Sequence, residues 1–217
     1  MSKKTDHKYL HIAIVLDQSG SMSSVKEETI NGFNEQVQTI KKNAEKRDGK
    51  TTVSLVLFND DVKFIVKLAE PKVLKELTDK HYTPNFSTAM LDAIGATMLM
   101  FDKEVDDNEN HRYLVIIISD GQENASREFS YENIAKMINK RRKNGRWTFS
   151  YIGANQDLSQ VSKSMGIHKS NMMSYKSDSA GSMIMYSNLS KSVISFMSRP
   201  DAPDDHFISK DDDIKKV

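Results

Sequence analysis

Along this chain of 217 residues, short apolar runs alternate with amphipathic helical patterns. The first run, residues 12–16, is uncharged and rich in β-branched side chains, which is typical of a strand buried on both faces of a parallel sheet. A polar turn follows it, and Ser24 and Glu27 have the spacing of a capping box at the start of a helix that extends to about Arg47. A strand followed by a loop and then a helix is typical of open α/β sheets. In such sheets, ligands bind at the carboxyl ends of the strands.

The later runs predict five more strands. Residues 52–58 and 62–66 flank the tight turn Asn59-Asp60-Asp61, so the second of these two strands is expected to lie antiparallel at the sheet edge. Residues 113–118 are the most apolar run and are assigned to the central strand beside the first. Further strands are expected at residues 147–152 and 172–175, and helices at 72–78, 88–102, 130–144, 158–165 and 186–197.

These elements predict an α/β fold of the Rossmann-like, doubly wound kind. The expected sheet has six mostly parallel strands in the order 3-2-1-4-5-6, with strand 3 antiparallel at the edge and helices on both faces. The length suits one such domain, which we assign to residues 1–200. Residues 201–217 follow Pro200 and are too polar to bury, so we expect a disordered C-terminal tail there.

Composition excludes several kinds of function. The chain has no cysteine, which rules out a disulfide framework, a thiolate zinc site and a cysteine nucleophile. Its 31 basic and 30 acidic residues leave a formal net charge of +1, so no global field favours nucleic acid or an anionic membrane. It has neither a signal-peptide pattern nor an apolar stretch of roughly 20 residues. We therefore expect a cytoplasmic protein with no nucleic-acid and no membrane partner.

The candidate chemistry lies in the turn after the first strand. Asp17, Ser19 and Ser21 present one carboxylate and two hydroxyls at alternate positions. Such oxygen ligands suit Mg²⁺, Mn²⁺ or Ca²⁺ and suit zinc or copper poorly. They make only half an octahedron, and two later positions offer the rest: Thr88 ahead of a helix and Asp120 after the central strand. Because strands one and four flank the switch point of the predicted order, Asp120 is expected beside Asp17.

This set of five residues resembles the metal-ion-dependent adhesion site of von Willebrand factor A domains, the family that includes integrin I domains. The resemblance covers most of residues 8–198 in the order of the elements. It implies that the serines and the threonine are close ligands of Mg²⁺ or Mn²⁺, with Ca²⁺ as an alternative, and that the aspartates act directly or through ordered water. It also implies a protein partner that supplies an Asp or Glu carboxylate to the metal. Within the family, the chain looks most like single-domain intracellular proteins of bacteria and their phages.

An enzymatic alternative stays open at this point. A metal-dependent hydrolase or phosphoryl-transfer enzyme on a similar sheet would need a second aspartate two residues after Asp17, a phosphate-binding glycine loop or a positioned base. Position 19 is serine, and the chain contains no G-x-x-x-x-G-K-[ST], G-x-G-x-x-G or G-x-S-x-G motif. We therefore predict that the protein is not an enzyme.

Two neighbouring segments have more than one interpretation. The family usually has a glycine-rich segment before the metal threonine, whereas this chain has Pro84-Asn85-Phe86-Ser87. Phe86 is either a contact residue at the rim of the site or a residue that packs under the loop. Glu123, three residues after Asp120, is interpreted as a loop and helix-entry residue and not as a ligand. The basic run at residues 140–143 is expected to complement a helix dipole more than to bind phosphate.

Overall fold

The computed structural model describes residues 7–199 and 206–208, which form one sheet with helices on both faces. The strands are β1 Tyr9–Asp17, β2 Lys50–Phe58, β3 Val62–Ala69, β4 His111–Ser119, β5 Trp147–Ala154 and β6 Met172–Tyr175. The helices are α1 Lys26–Ala44, α2 Met90–Glu104, α3 Tyr131–Arg142, α4 Leu158–Met165 and α5 Ser179–Ser198. In the described ranges, no helix has both the length and the apolar composition that crossing a membrane requires.

The strand order confirms the predicted topology. It is β3-β2-β1-β4-β5-β6, with β2 and β3 antiparallel and every other neighbouring pair parallel. Leu16 of β1 lies opposite Ile118 of β4, so the two central strands end at the same level. The loops that leave these strands are therefore neighbours at the carboxyl edge of the sheet, as the switch-point rule requires.

Two hydrophobic cores cover the two faces of the sheet. Side chains alternate between faces along a strand, so Ile14 and Leu16 pack with α1 and α5 while Val15 packs with α2 and α3. The helix predicted at residues 186–197 lies within α5, and its Leu189 and Phe196 are buried in the first core. Both faces of β1 and β4 are thus excluded from water, which explains their continuous apolar sequences.

A histidine pair lies near the amino ends of the central strands. Nε2 of His11 and Nδ1 of His111 are 2.9 Å apart, and Nδ1 of His11 is 2.8 Å from the Thr52 hydroxyl. Burial lowers the pKa of His11 to about 4 and also lowers the pKa of His111. The neutral form of His11 is therefore favoured by folding. Its contribution to the free energy of unfolding is present above pH 6.5 and is lost as the pH falls from about 6.5 to about 4.

The start of α1 differs from the prediction. A 3-10 turn at Gly20–Val25 precedes the helix, and the hydroxyl of Ser24 donates to the carbonyl of Ser21 at 3.3 Å instead of capping α1. The predicted capping box of Ser24 and Glu27 is therefore wrong. The physical reason is that the chain needs these residues to turn from the loop after β1 into the helix.

The helix predicted at residues 72–78 is also wrong. Only a short 3-10 turn, Pro71–Val73, forms there. The amide of Asn34 on α1 donates to the carbonyl of Leu77 at 3.0 Å, and the N–H of Leu77 donates back to the Asn34 side chain at 2.7 Å. Leu74 and Leu77 are buried in the first core. Pairing with a side chain of α1 thus holds this segment in a non-helical path.

The C-terminal segment differs from the expected disorder at Phe207. The predicted boundary at residue 200 and most of residues 201–217 lie outside the described residues, but residues 206–208 are described. The Phe207 ring is 1% exposed and packs edge to face on Phe196, with ring centres 5.8 Å apart. Its N–H donates to the Asn171 side chain at 2.8 Å. One aromatic residue in a polar segment is therefore enough to dock these residues on the first core.

We expect Phe207→Ala to lower the free energy of unfolding by about 3 kcal/mol, because the substitution removes a buried ring and leaves a cavity. Phe86→Ala is the matched control, since Phe86 is 71% exposed and its loss should change stability by less than about 0.5 kcal/mol. Urea unfolding of both variants measures the difference. A loss below about 1 kcal/mol for Phe207→Ala would mean that the C-terminal segment adds little to the core.

Candidate metal centre

Asp17, the last residue of β1, is a carboxylate with 0% exposure to solvent. The hydroxyl of Ser119 donates to its Oδ2 at 2.6 Å, and the N–H of Ser19 donates to its Oδ1 at 2.7 Å. Burial nevertheless raises the pKa of Asp17 from 3.8 to about 6, because these two hydrogen bonds do not replace the lost water. Among the described residues, no basic side chain forms an ion pair with it.

A chain of oxygen contacts joins the loop after β1 to the loop after β4. The hydroxyls of Ser19 and Ser21 are 3.1 Å apart, and the hydroxyl of Ser21 donates to Oδ1 of Asp120 at 2.5 Å. The hydroxyl of Ser177 donates to the other oxygen of Asp120 at 3.4 Å. Burial raises the pKa of Asp120 as well, so both carboxylates are held in surroundings that disfavour their charge.

Thr88 completes the cluster, and Gly121 leaves room at its centre. A Cβ atom placed on Gly121 would lie 2.9 Å from Oγ1 of Thr88, 3.4 Å from Oγ of Ser21 and 3.6 Å from Oδ2 of Asp17. Three oxygens from two segments, the loop after β1 and the segment before α2, thus surround one point beside the loop after β4, and any side chain at position 121 would fill it. The structure therefore brings together all five residues that the sequence predicted.

The donor set fits a hard divalent cation. It consists of hydroxyl and carboxylate oxygens, which Mg²⁺, Mn²⁺ and Ca²⁺ prefer. Within the described part of the chain, no group of three or more His, Asp or Glu side chains is arranged to hold a metal. A cation at this cluster would therefore depend on its hydroxyls as much as on its two carboxylates. The assignment of the five residues as metal ligands stays a prediction.

Hydrogen bonds from the segment before α2 hold the loop after β1 in place. The hydroxyl of Tyr82, whose side chain is fully buried, donates to the carbonyl of Asp17 at 2.6 Å. The N–H of Asn85 donates to the carbonyl of Gln18 at 3.0 Å, and the N–H of Gly20 donates to the carbonyl of Phe86 at 3.1 Å. The two segments are thus joined through their backbones, so the position of Thr88 depends on that of Asp17.

Phe86 adopts an unusual backbone conformation in this contact. Its φ of 60° lies in the left-handed region, which costs free energy for a residue with a large side chain. Its side chain is 71% exposed. Of the two interpretations that the sequence allowed, packing under the loop is therefore wrong, and the role of a contact residue at the rim of the site stays a prediction. Phe86 takes the conformation that a glycine-rich segment would adopt more easily.

Glu123 has a structural role beside the cluster. Its carboxylate accepts hydrogen bonds from the N–H groups of Leu91, Ala125 and Ser126 at 2.8 to 3.0 Å, and from the Ser126 hydroxyl at 2.8 Å. Leu91 lies in the first turn of α2, so this carboxylate satisfies a free N–H group at the helix start. The interpretation of Glu123 as a helix-entry residue agrees with these contacts.

Sequence reasoning missed three residues that shape the cluster. Ser119 and Gly121 flank Asp120, and their position after a buried strand was the available signal for them. Tyr82 had no signal in the sequence, because its hydrogen bond to Asp17 joins segments 65 residues apart. These residues orient the carboxylate, leave the central space free and fix the end of β1, respectively.

The arginine side chains in the last turn of α3 and in the turn after it bond to other segments of the protein. Arg141 pairs with Asp102, Arg142 donates to the carbonyl of Gly166 at 3.1 Å, and Arg146 forms an ion pair with Asp107. These interactions join α3 and the turn after it to neighbouring elements. Lys140, Arg141 and Arg142 lie in the last turn of α3, where basic residues complement the helix dipole as expected. The contacts with neighbouring elements were not predicted from the sequence.

One family of known domains matches the chain. The sequence model of the von Willebrand factor type A domain matches residues 11–188. A comparison with curated protein sequences finds no match.

Several solved structures share the fold at low sequence identity. The pilus adhesin SpaC from Lactobacillus rhamnosus GG has a TM-score of 0.65 and 14% identity, over 88% of this chain and 30% of that one. Manganese-loaded TRAP protein from Plasmodium vivax has a TM-score of 0.56 and 16% identity, over 82% and 72%. Proximal thread matrix protein 1 from the mussel byssus, with a zinc-occupied MIDAS motif, has a TM-score of 0.57 and 17% identity. That match covers 86% of this chain but only 46% of the mussel protein, so the chain spans less than half of it.

The raised pKa of Asp17 predicts that its charge destabilises the metal-free protein. The folded pKa of about 6 lies above the usual 3.8, so the stability contributed by the protonated form is lost as the pH rises from about 4 to above 6. We expect Asp17→Asn to gain on the order of 3 kcal/mol relative to wild type between pH 4 and pH 7.

Urea unfolding in EDTA at several pH values measures this difference. Only the comparison of the two proteins is informative, because His11 shifts the stability of both in the opposite direction over the same pH range. A difference between variant and wild type that does not change with pH would contradict the assigned pKa shift of Asp17.

Proposed function

The chain belongs to the von Willebrand factor type A domain family, and we propose that it is a metal-dependent protein-binding module. In this proposal, Mg²⁺ or Mn²⁺, with Ca²⁺ as the alternative, is held by the five clustered residues Asp17, Ser19, Ser21, Thr88 and Asp120. The partner is a protein that supplies an Asp or Glu carboxylate to the cation. The observation that carries the proposal is the convergence of three oxygens around the space beside Gly121.

The charges of the cluster favour an acidic partner. Three of the five side chains are neutral hydroxyls, so much of the charge of a divalent cation is left without compensation close by. An incoming carboxylate would supply both a further oxygen ligand and a negative charge. Ser21 is exposed and Asp120 is partly exposed, whereas Asp17 is buried, so the cluster is open on the side of these two residues.

Phe86 is proposed as a second contact for the partner. Its ring is exposed, and its carbonyl bonds directly to the loop that carries Ser19 and Ser21. An apolar side chain next to the acidic residue of the partner could cover this ring while the carboxylate reaches the metal. The strained backbone of Phe86 would then have a use in recognition.

The proposed compartment and the proposed type of protein follow from the resemblance to von Willebrand factor A domains. We propose a non-enzymatic, cytoplasmic module of the single-domain type that bacteria and phages contain, and the cysteine-free composition agrees with a reducing compartment. A phosphatase assay with Mg²⁺ or Mn²⁺ tests the enzymatic alternative directly. Metal-dependent turnover that disappears in Asp17→Ala would overturn the non-enzymatic assignment.

Calorimetric titration with Mg²⁺ and Mn²⁺ tests the metal site by itself. We expect dissociation constants on the order of micromolar to millimolar, because only two of the five residues are anionic. Asp17→Ala and Ser19→Ala should each weaken binding at least about tenfold through loss of one ligand. Ser24→Ala is the matched control, since its hydroxyl lies in the same loop but bonds to the Ser21 carbonyl outside the cluster. Equal affinity in wild type and Asp17→Ala would refute the site.

Removal of the metal should affect partner binding more than stability. Near its dissociation constant, a ligand stabilises the fold by less than about 1 kcal/mol, so EDTA should scarcely move the unfolding midpoint. Affinity capture from a lysate of the source organism, by contrast, should fail in EDTA and with Asp17→Ala. Capture that survives both treatments would contradict metal-mediated binding, and unfolding in EDTA would mean that the metal is structural.

Substitution of Phe86 separates partner binding from metal binding. Phe86→Ala should leave the Mn²⁺ dissociation constant unchanged, because its side chain points away from the oxygen cluster into solvent. The amount of captured partner should fall severalfold through the loss of an aromatic contact. Capture equal to wild type would remove Phe86 from the interface and leave the metal site untouched.

A further inference from the structure

A second concave site lies at the opposite edge of the sheet from Asp17. It is a cavity of about 540 Å³ between the end of α1, the start of β2 and the turn after β3. This volume falls within the range of roughly 300 to 1,000 Å³ that is typical of ligand pockets. We name it the amino-end cavity, and the residues that matter for its chemistry are Lys41, Ala44, Lys50, Thr51, Leu68 and Pro71.

The apolar wall of the amino-end cavity lies beside the irregular end of β3. The pairing of β2 and β3 shifts register between Val53 and Leu55, and Leu68 has a φ of 47° in the left-handed region. The N–H of Leu68 donates to the hydroxyl of Ser54 at 2.9 Å, which holds this conformation. Such bulges turn an edge strand away from its neighbour, and here the turn leaves Leu68 and Pro71 facing the cavity.

A buried hydroxyl in the cavity lacks a hydrogen-bond partner. Thr51 is 5% exposed, and its Oγ1 has no partner among the described residues. Nearly all buried polar groups in proteins are paired, so the unpaired hydroxyl of this lining residue leaves one hydrogen bond that a ligand atom could make. Its neighbour Thr52, which also lines the cavity, is satisfied by His11.

The charged side chains around the cavity favour an anion. Three lysines and two glutamates line it, which leaves an excess of one positive charge. Glu70 is paired with Lys72 at 2.6 Å, and Lys41 donates to the carbonyl of Leu74 at 2.8 Å. In the ranges that the structure describes, Lys50 forms no ion pair. Lys50 also acts electrostatically on Glu70, but that carboxylate is already paired with Lys72, so the Lys50 ammonium has no ion pair to break when it meets a ligand.

We propose that the amino-end cavity binds a small amphipathic monoanion, namely a carboxylate that carries an aliphatic chain. The aliphatic chain packs on Ala44, Leu68 and Pro71, where apolar side chains and lysine stems form the wall. The carboxylate faces Lys50 and accepts a hydrogen bond from Thr51. This binding needs neither the metal nor the protein partner, so it is independent of the function proposed above.

Titration of the isotope-labelled protein of 217 residues with octanoate tests the proposal by NMR and calorimetry. We expect saturable one-to-one binding with a dissociation constant on the order of 1 mM, as suits a ligand with few heavy atoms. The largest shifts should fall on the amides of Lys50, Thr51 and Leu68. Octylamine, which has the same chain length and the opposite charge, should bind at least about tenfold more weakly.

Three variants assign the interaction to the cavity. Lys50→Glu should weaken octanoate binding about tenfold by reversing the charge beside the carboxylate. Thr51→Val should weaken it about threefold, because valine keeps the shape of threonine and removes the hydroxyl. Lys63→Glu is the matched control: Lys63 is an exposed lysine of β3 outside the cavity, and its reversal should leave the affinity unchanged.

The results that would overturn the proposal are distinct from those that bear on the metal site. No saturation up to roughly 20 mM octanoate, or equal binding of octylamine, would refute an anion site. Equal weakening by Lys50→Glu and Lys63→Glu would mean that only the net charge matters. Octanoate binding that persists in EDTA and in Asp17→Ala supports the proposal whether or not the metal site exists, and binding that depends on Asp17 would overturn it.

Discussion

The buried carboxylate of Asp17 is the constraint on which the surrounding loops depend. An ionised group with no exposure to water is costly unless other groups satisfy it, and here one hydroxyl and one backbone N–H contact its two oxygens. The pKa of about 6 indicates that these contacts offset only part of the cost. A divalent cation bound at the cluster would reduce the remaining cost. The fold thus keeps an unfavourable charge at the position where the proposed function needs one, as functional sites often do.

The cluster exists because the topology makes distant segments neighbours. β1 and β4 lie side by side at the centre of the sheet and end at the same level, so the loops that bear Ser21 and Asp120 meet although they are 99 residues apart. The third segment, before α2, is joined to the first through backbone hydrogen bonds at Gly20 and Asn85. These bonds require the strained conformation of Phe86, which also directs its ring into solvent. Rigidity of the site and exposure of the aromatic ring therefore have one cause.

The two edges of the sheet carry groups that titrate in opposite directions. At the carboxyl edge, burial favours protonated Asp17, and at the amino edge burial favours neutral His11. Between about pH 4 and pH 6, the contribution of Asp17 to stability falls and that of His11 rises as the pH rises, so these two contributions have opposite signs. The amino edge also holds the cavity beside Thr51, whose neighbour Thr52 bonds to His11. Each edge of the sheet thus carries its own group of polar side chains.

The sequence by itself determined the six strands, their order and the five residues of the candidate site. Strand runs such as residues 113–118 are recognisable because both faces of a central parallel strand must be apolar. The position of Asp17 directly after such a run implied a site at the carboxyl edge. Local patterns were enough for the strands, since burial and strand periodicity are properties of short segments. The strand order and the grouping of Thr88 and Asp120 with Asp17 rested on the topology rule and on the resemblance to a known family.

Only the tertiary structure decided the features that depend on contacts between distant segments. The segment at residues 72–78 is not helical because Asn34 pairs with its backbone, and Phe207 is buried because Phe196 offers it a surface. The unpaired hydroxyl of Thr51 and the exposure of Phe86 likewise follow from how neighbouring elements meet. Composition and periodicity describe a residue's own segment, whereas these features are set by partners that lie far away in the sequence.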